Sequence, residues 1–207
     1  MVMEQQKQHR VLVLFAHPAL RKSRVNKRLL SAVEGLDGVE VNDLYQSYPD
    51  FDIDVAREQR LLLDHDVVVL QHPFYWYSTP AILKEWQDLV LEHGWAYGHD
   101  GHALEGKTLL NVVSTGGPEN AYAQGGANRF TIRQLLAPIE QTARLCGMEY
   151  LPPFVVHGTH ALTTDGIDRE AADYRRLLEA LRDGHVTAAR AAGLHRINAD
   201  LDALLGG

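Results

Sequence analysis

The 207-residue chain has a single cysteine, Cys146, so it can form no internal disulfide and assemble no cysteine-rich metal centre. Cys146 sits in RLCGM, at the expected end of a helix beside Gly147, where a small buried side chain is the ordinary reading. No run approaches about 18 consecutive apolar residues, so no transmembrane helix is expected. The polar start MVMEQQKQHR lacks the apolar core of a secretory signal, and residues 1–9 read as a frayed end. Positive charge is also short: 20 Lys and Arg stand against 27 Asp and Glu, a formal net charge of −7 without a long basic run. That balance gives no general electrostatic grip on nucleic acid. A soluble cytoplasmic chain is expected, with peripheral attachment at the inner face of a membrane left open. Histidine is plentiful, at 11. Yet HDGH at 99–102 and the pair His157 and His160 lack the helical i, i+4 spacing or the cysteine company of a zinc site, so no metal is expected.

What the chain does contain is an alternation of short apolar runs and helical patterns. Residues 11–16 (VLVLFA) form a continuous aliphatic run, as a strand buried on both faces requires. Residues 23–36 follow with Val25, Leu29, Leu30 and Val33 at helical spacing. Further strands are expected at residues 39–44, 66–71, 108–113 and 149–157, the last interrupted by Pro152 and Pro153. Helices are expected at residues 54–63, with Asp54 as cap, at 81–92, at 131–146 with a break near Pro138, and at 168–182. Residues 188–205 read as a weaker, alanine-rich helical tail. Strands alternating with helices imply right-handed crossovers and a doubly wound α/β fold, a five-stranded parallel sheet of order 2-1-3-4-5 with helices on both faces. That domain spans residues 10–185, and residues 186–207 form the tail. Ligands of such sheets sit beyond the carboxyl ends of strands 1, 3 and 4, where the strand order reverses.

The loops at those three places are the unusual ones. After the first strand, residues 16–30 (AHPALRKSRVNKRLL) place His17 before a helix start carrying Ser23 and Asn26. Free N–H groups at a helix start favour a phosphate. The loop has neither a Walker A motif nor GxGxxG, so a phosphomonoester suits it better than a triphosphate or pyrophosphate. Alternatively, Ser23 is a plain cap and His17 a turn residue. After the third strand, Phe74, Tyr75, Trp76 and Tyr77 offer an aromatic surface for a flat conjugated ring, a hydrophobic cluster or a subunit interface. After the fourth, residues 114–130 hold Gly116 and Gly117, which permit close backbone approach, and Tyr122, a donor for a ring carbonyl. A long flexible loop is the alternative there. Together the three loops describe a pocket for a phosphate attached to a flat ring, which points to FMN.

The stretches AHP....S..NK, QHPFYWYSTPAILKEW, HGWAYG, GKTLL..VSTGG and RLCGMEYLPPFVVHG resemble the NAD(P)H dehydrogenase (quinone) family of flavodoxin-like folds. Within it they resemble the ancillary oxidoreductase subunits of glutathione-regulated potassium-efflux systems. The resemblance covers roughly residues 10–182. It implies FMN held at its phosphate and ribityl chain by His17, Ser23, Arg24, Val25 and Asn26. It places the ring along Phe74, Tyr75, Trp76 and Tyr77, with its pyrimidine side against Ser114, Thr115, Gly116 and Gly117. It also implies a homodimer with the site at the subunit interface, and ping-pong hydride transfer from NAD(P)H through flavin N5 to a quinone. Mammalian members of the wider family place a histidine six residues after the tyrosine that matches Tyr122. Here that position is Asn128, which cannot act as an acid at neutral pH. Tyr122, with the Gly116 and Gly117 amides, is the expected catalytic group, stabilising the charge of the reduced flavin, while no obligatory acid or base is identified and water can supply the proton. A flavodoxin-type electron carrier, a flavin-binding regulatory subunit of a potassium-efflux transporter, and reduction of azo or nitro acceptors are the competing readings.

Overall fold

The computed structural model describes residues 8–206. Six parallel strands form one sheet: β1 (Val11–Phe15), β2 (Val39–Asp43), β3 (Val67–Pro73), β4 (Thr108–Ser114), β5 (Glu149–Tyr150) and β6 (Phe154–Val156). The order is β2-β1-β3-β4-β5, with β6 also paired to β4. The expected 2-1-3-4-5 order is present, and the fifth strand is two short ones. Pro152 and Pro153 have no N–H to give to the ladder. β5 therefore pairs with Thr108 and Leu109, and β6 resumes opposite Val112–Ser114.

Alternation along β1 separates two cores. Val11, Val13 and Phe15 face the layer of α1 (Arg24–Val33) and α7 (Thr164–Arg182), while Leu12 and Leu14 face the other layer. That second layer contains α3 (Val55–Asp64), α4 (Ala81–Val90) and α6 (Ala137–Leu145). Asp54 caps α3 by accepting from Arg57 N at 2.9 Å. The helix expected over residues 131–146 is split at Leu136 into α5 (Ile132–Leu135) and α6. Pro138 falls in the first turn of α6, where an N–H would have no partner anyway. A short α2 (Leu44–Ser47), capped by Asp43, was not expected. Among the described helices none is long and apolar enough to cross a membrane.

The carboxy-terminal segment departs most from expectation. Its alanine content favours helix, but helix is confined to a 3-10 turn, Ile197–Ala199, and to α8 (Leu201–Leu205). Burial decides otherwise: Ile197, Leu201 and Leu204 join the core under α7. Residues 1–7 of the expected frayed end lie outside the described residues, whereas His9 N donates to Arg182 O at 2.7 Å.

Residues 197 and 198 lie along the edge of β6. Ile197 N donates to Pro153 O at 2.9 Å, Val155 N donates to Asn198 Oδ1 at 3.0 Å, and Asn198 Nδ2 donates to Val155 O at 3.0 Å. The amide side chain thus takes the place of a further strand on an edge that would otherwise be open. Asn198→Ala leaves both buried Val155 groups unpaired, and urea unfolding should show a loss of about 1–3 kcal/mol; an unchanged midpoint would mean that water replaces the amide freely.

Candidate functional site

Three loops meet at Ser114, the last residue of β4. Phe74 N donates to Ser114 O at 2.9 Å, and Asn26 Nδ2 donates to Ser114 Oγ at 2.8 Å. Ser23 caps α1 by accepting from Asn26 N at 3.1 Å, so the backbone N–H groups of Arg24 and Val25 have no acceptor one turn back. A hollow of about 350 Å³ opens over this helix start, lined among others by His17, Lys22, Ser23, Arg24, Asn26 and Gly116. The Val25 side chain is buried in the core, so its backbone is what reaches the hollow. Asn26 Oδ1 is buried and has no partner among the described residues, an uncompensated acceptor facing a costly desolvation. His17 Nδ1 accepts from Ala19 N at 3.1 Å. Burial lowers the His17 pKa, and the neutral ring then carries its proton on Nε2, free to donate.

The second loop turns sharply. Ser78 N donates to Tyr75 O at 3.0 Å, and the two residues between, Trp76 and Tyr77, have φ of 49° and 63°. Positive φ is uncommon for bulky residues and costs on the order of 1–3 kcal/mol at each. The turn sends Trp76 outward, 92% exposed, while Phe74 stays buried at 7%. Phe74 to Tyr77 and Tyr122 line a second hollow of about 480 Å³, which shares Phe74 and Tyr75 with the first. Tyr77 OH donates to Asn128 Oδ1 at 3.2 Å, tying the second loop to the third.

The third loop is not structureless: a 3-10 turn, Glu119–Tyr122, holds Tyr122 against Phe74, ring centroids 6.3 Å apart. A Cβ at Gly117 would lie 3.1 Å from Tyr122 Cε2, so glycine lets that ring rest on the backbone. Burial raises the Tyr122 pKa, against hydrogen bonds with Thr115 and Asn128 that lower it. Thr115 is buried and turned away from both hollows, donating its hydroxyl to Gly117 O at 2.9 Å.

Two histidines after β6 belong to this edge and were considered from the sequence only as metal ligands. His157 lies beside Tyr122, ring centroids 5.7 Å apart, with Nδ1 3.2 Å from Thr115 Oγ1. The single Thr115 proton goes to a carbonyl, so Thr115 Oγ1 accepts from His157 Nδ1–H and leaves Nε2 unprotonated. His157 thus joins Asn128 beside Tyr122. His160 lines the first hollow from above Gly116. The loop after the last strand opens on the same sheet edge as the other three, which is the signal that could have found them.

Residues 9–178 match the family described as having a flavodoxin-like fold. The chain belongs to the flavodoxin-like family. A glutathione-regulated potassium-efflux system ancillary protein KefF from Enterobacter sp. (strain 638) is 46% identical over 175 residues, 84% of this chain and 98% of that protein. General stress protein 14 from Treponema denticola, solved in complex with FMN, is 41% identical with a TM-score of 0.79, over 83% of this chain and 99% of that one. An NADPH-quinone reductase from P. pentosaceus is 39% identical with a TM-score of 0.74, over 81% and 96%. The family's strand order puts the three hollow-forming loops of this flavodoxin-like chain at the carboxyl ends of β1, β3 and β4.

Burial lowers the pKa of His17, of His157 and of the fully buried His72 on β3. In the unfolded chain each takes up a proton near pH 6.5. Folded stability is therefore intact above about pH 6.5 and falls as the pH drops toward and through the lower folded values. Thermal midpoints measured from about pH 8 to about pH 5 should decline below about pH 6.5; a flat profile would show that these imidazoles are protonated in the folded protein.

Proposed function

We propose that the linked hollows bind FMN and that the chain is an NAD(P)H:quinone oxidoreductase. The observation that carries this reading is an anion cradle at a helix start opening directly beside an aromatic wall, which suits a phosphate on a flat ring. The FMN bound to the Treponema denticola relative and the likeness to the NADPH-quinone reductase of P. pentosaceus support it.

On this reading the phosphate sits at the Arg24 and Val25 N–H groups, with Ser23 Oγ beside them and Lys22 and Arg24 supplying charge. The unpartnered Asn26 Oδ1 receives a hydroxyl of the ribityl chain, and His17 Nε2–H donates to the same region. Phe74, Tyr75, Trp76 and Tyr77 border the ring, Ser114 and Gly116 line the hollow at its polar edge, and Gly117 carries the Tyr122 ring. Thr115 acts from behind by holding Gly117 and His157. Bound there, FMN supplies the two-electron chemistry that no side chain of this protein offers. Tyr122, kept protonated by burial, donates a hydrogen bond where negative charge develops. His157, neutral with Nε2 free, can take or return a proton beside it.

The exposed Trp76, Tyr77 and Phe130 suit a homodimer contact that would close the ring side from water. The likeness to potassium-efflux ancillary proteins favours a second role, regulation of such a transporter from its cytoplasmic side.

The purified protein mixed with FMN should show flavin absorption that bleaches with anaerobic NAD(P)H and returns on adding a quinone. Absence of FMN binding would end the reading; binding without bleaching would leave a flavin-binding regulatory subunit or an electron carrier. Arg24→Ala should weaken FMN about tenfold, and Ser23→Asp more, because a carboxylate at the helix start repels the phosphate.

A further inference from the structure

The family match ends at residue 178, and the potassium-efflux relative is covered over 98% of its length by 84% of this chain. The segment that follows lies outside the matched domain, and the structure places it against the site. A cleft of about 710 Å³ lies between the third loop and this extension. It shares Tyr122 with the aromatic hollow, and His157 stands beside that ring. Ile132 and Val155 from the domain, and Leu194 and Ala199 from the extension, give it apolar walls.

Its charges are already engaged. Arg196 donates to both carboxylate oxygens of Glu119, at 3.1 and 3.0 Å. Arg133 Nη1 donates to Leu194 O at 3.2 Å, and its Nε lies 3.6 Å from Glu140 Oε2. With both guanidiniums engaged, the cleft does not call for a phosphate, and its occupant is neutral. At the end shared with the aromatic hollow the Tyr122 hydroxyl is the donor suited to a quinone oxygen, and His157 Nε2, an acceptor, suits the hydroxyl of the reduced ring.

We infer that the extension-lined cleft holds the apolar side chain of a substituted quinone whose ring lies beside Tyr122 and His157. This rests on the quinone oxidoreductase reading and adds a substrate class to it. The Glu119–Arg196 pair fixes the loop that carries Tyr122 to the extension, so the ring end and the tail end of the acceptor are positioned together. Each methylene fully buried strengthens binding by up to about fourfold, so a chain only partly enclosed still confers a clear preference.

The test compares FMN-loaded protein acting on a methyl-naphthoquinone and on its decyl-substituted counterpart. The decyl compound should have kcat/KM at least about tenfold higher, through KM. Ala199 is exposed, so Ala199→Trp fills the cleft without disturbing the core, and Leu194→Trp does so from a second position. Either should lower kcat/KM for the decyl quinone about tenfold and leave the tailless one within about twofold. Calorimetry with a decyl-substituted dimethoxynaphthalene, which is not turned over, should show the same tenfold loss of affinity in Ala199→Trp. Equal use of both quinones with unchanged calorimetry overturns the inference. So does a Trp variant that alters sedimentation but not selectivity, since the cleft is then covered by a second copy of the chain. If neither quinone is reduced, the oxidoreductase reading fails and calorimetry alone decides: weakened binding in Ala199→Trp supports the apolar cleft, and equal binding overturns it.

Discussion

Ser114 is where backbone and side-chain demands of the whole site converge. Its carbonyl must accept from Phe74 N for the β3–β4 ladder to extend into the second loop, and its hydroxyl must accept from Asn26 Nδ2. Asn26 in turn can reach only because its own N–H is held by the Ser23 cap. The two bonds at Ser114 are buried, where a lost hydrogen bond costs more than in water. The three loops therefore cannot shift independently, and the anion cradle of the first loop keeps a fixed distance from the aromatic wall of the second. A hollow assembled from separate loops thereby acquires the rigidity of the sheet beneath it.

The same edge carries strain, and its placement is informative. Trp76 and Tyr77 adopt left-handed backbone although both are bulky, and one of them is almost wholly exposed. Packing within the domain does not account for that conformation. Two bonds hold it, Ser78 N to Tyr75 O and Tyr77 OH to Asn128 Oδ1. Strain of this kind persists where the surroundings fix it and where it presents something useful. Here it presents ring edges and backbone to the hollow shared with Tyr122.

Much of this was legible in sequence because it is local. The run VLVLF demands a strand buried on both sides, Asp54 and Ser23 announce helix starts, and the order of strands and helices fixes which loops share an edge. The split of the fifth strand was half legible: two prolines announced an interruption, but not that each half would pair with a different stretch of β4. His157 was not legible. Its role depends on a ring from residue 122 and a hydroxyl from residue 115 arriving beside it, a coincidence of three loops far apart in the chain. The carboxy-terminal segment misled for the opposite reason, since its local alanine-rich preference for helix is weaker than the burial of Ile197 and Leu201 and the bonding of Asn198.

That segment also explains how an addition outside the shared domain can matter to chemistry inside it. β6 is short, buried and paired on one side only with β4, so its outward N–H and C=O groups need partners. Asn198 supplies them, which fixes the extension beside the strand that leads into His157. From that anchor Arg196 reaches Glu119, and Arg133 reaches back to Leu194 from α5. The domain's need to close a sheet edge therefore places a charged clasp on the loop that carries Tyr122. An element retained for edge protection is, by geometry alone, also a wall of the site, and changes within it can alter which acceptor fits while leaving the cradle at Ser23 and Asn26 untouched.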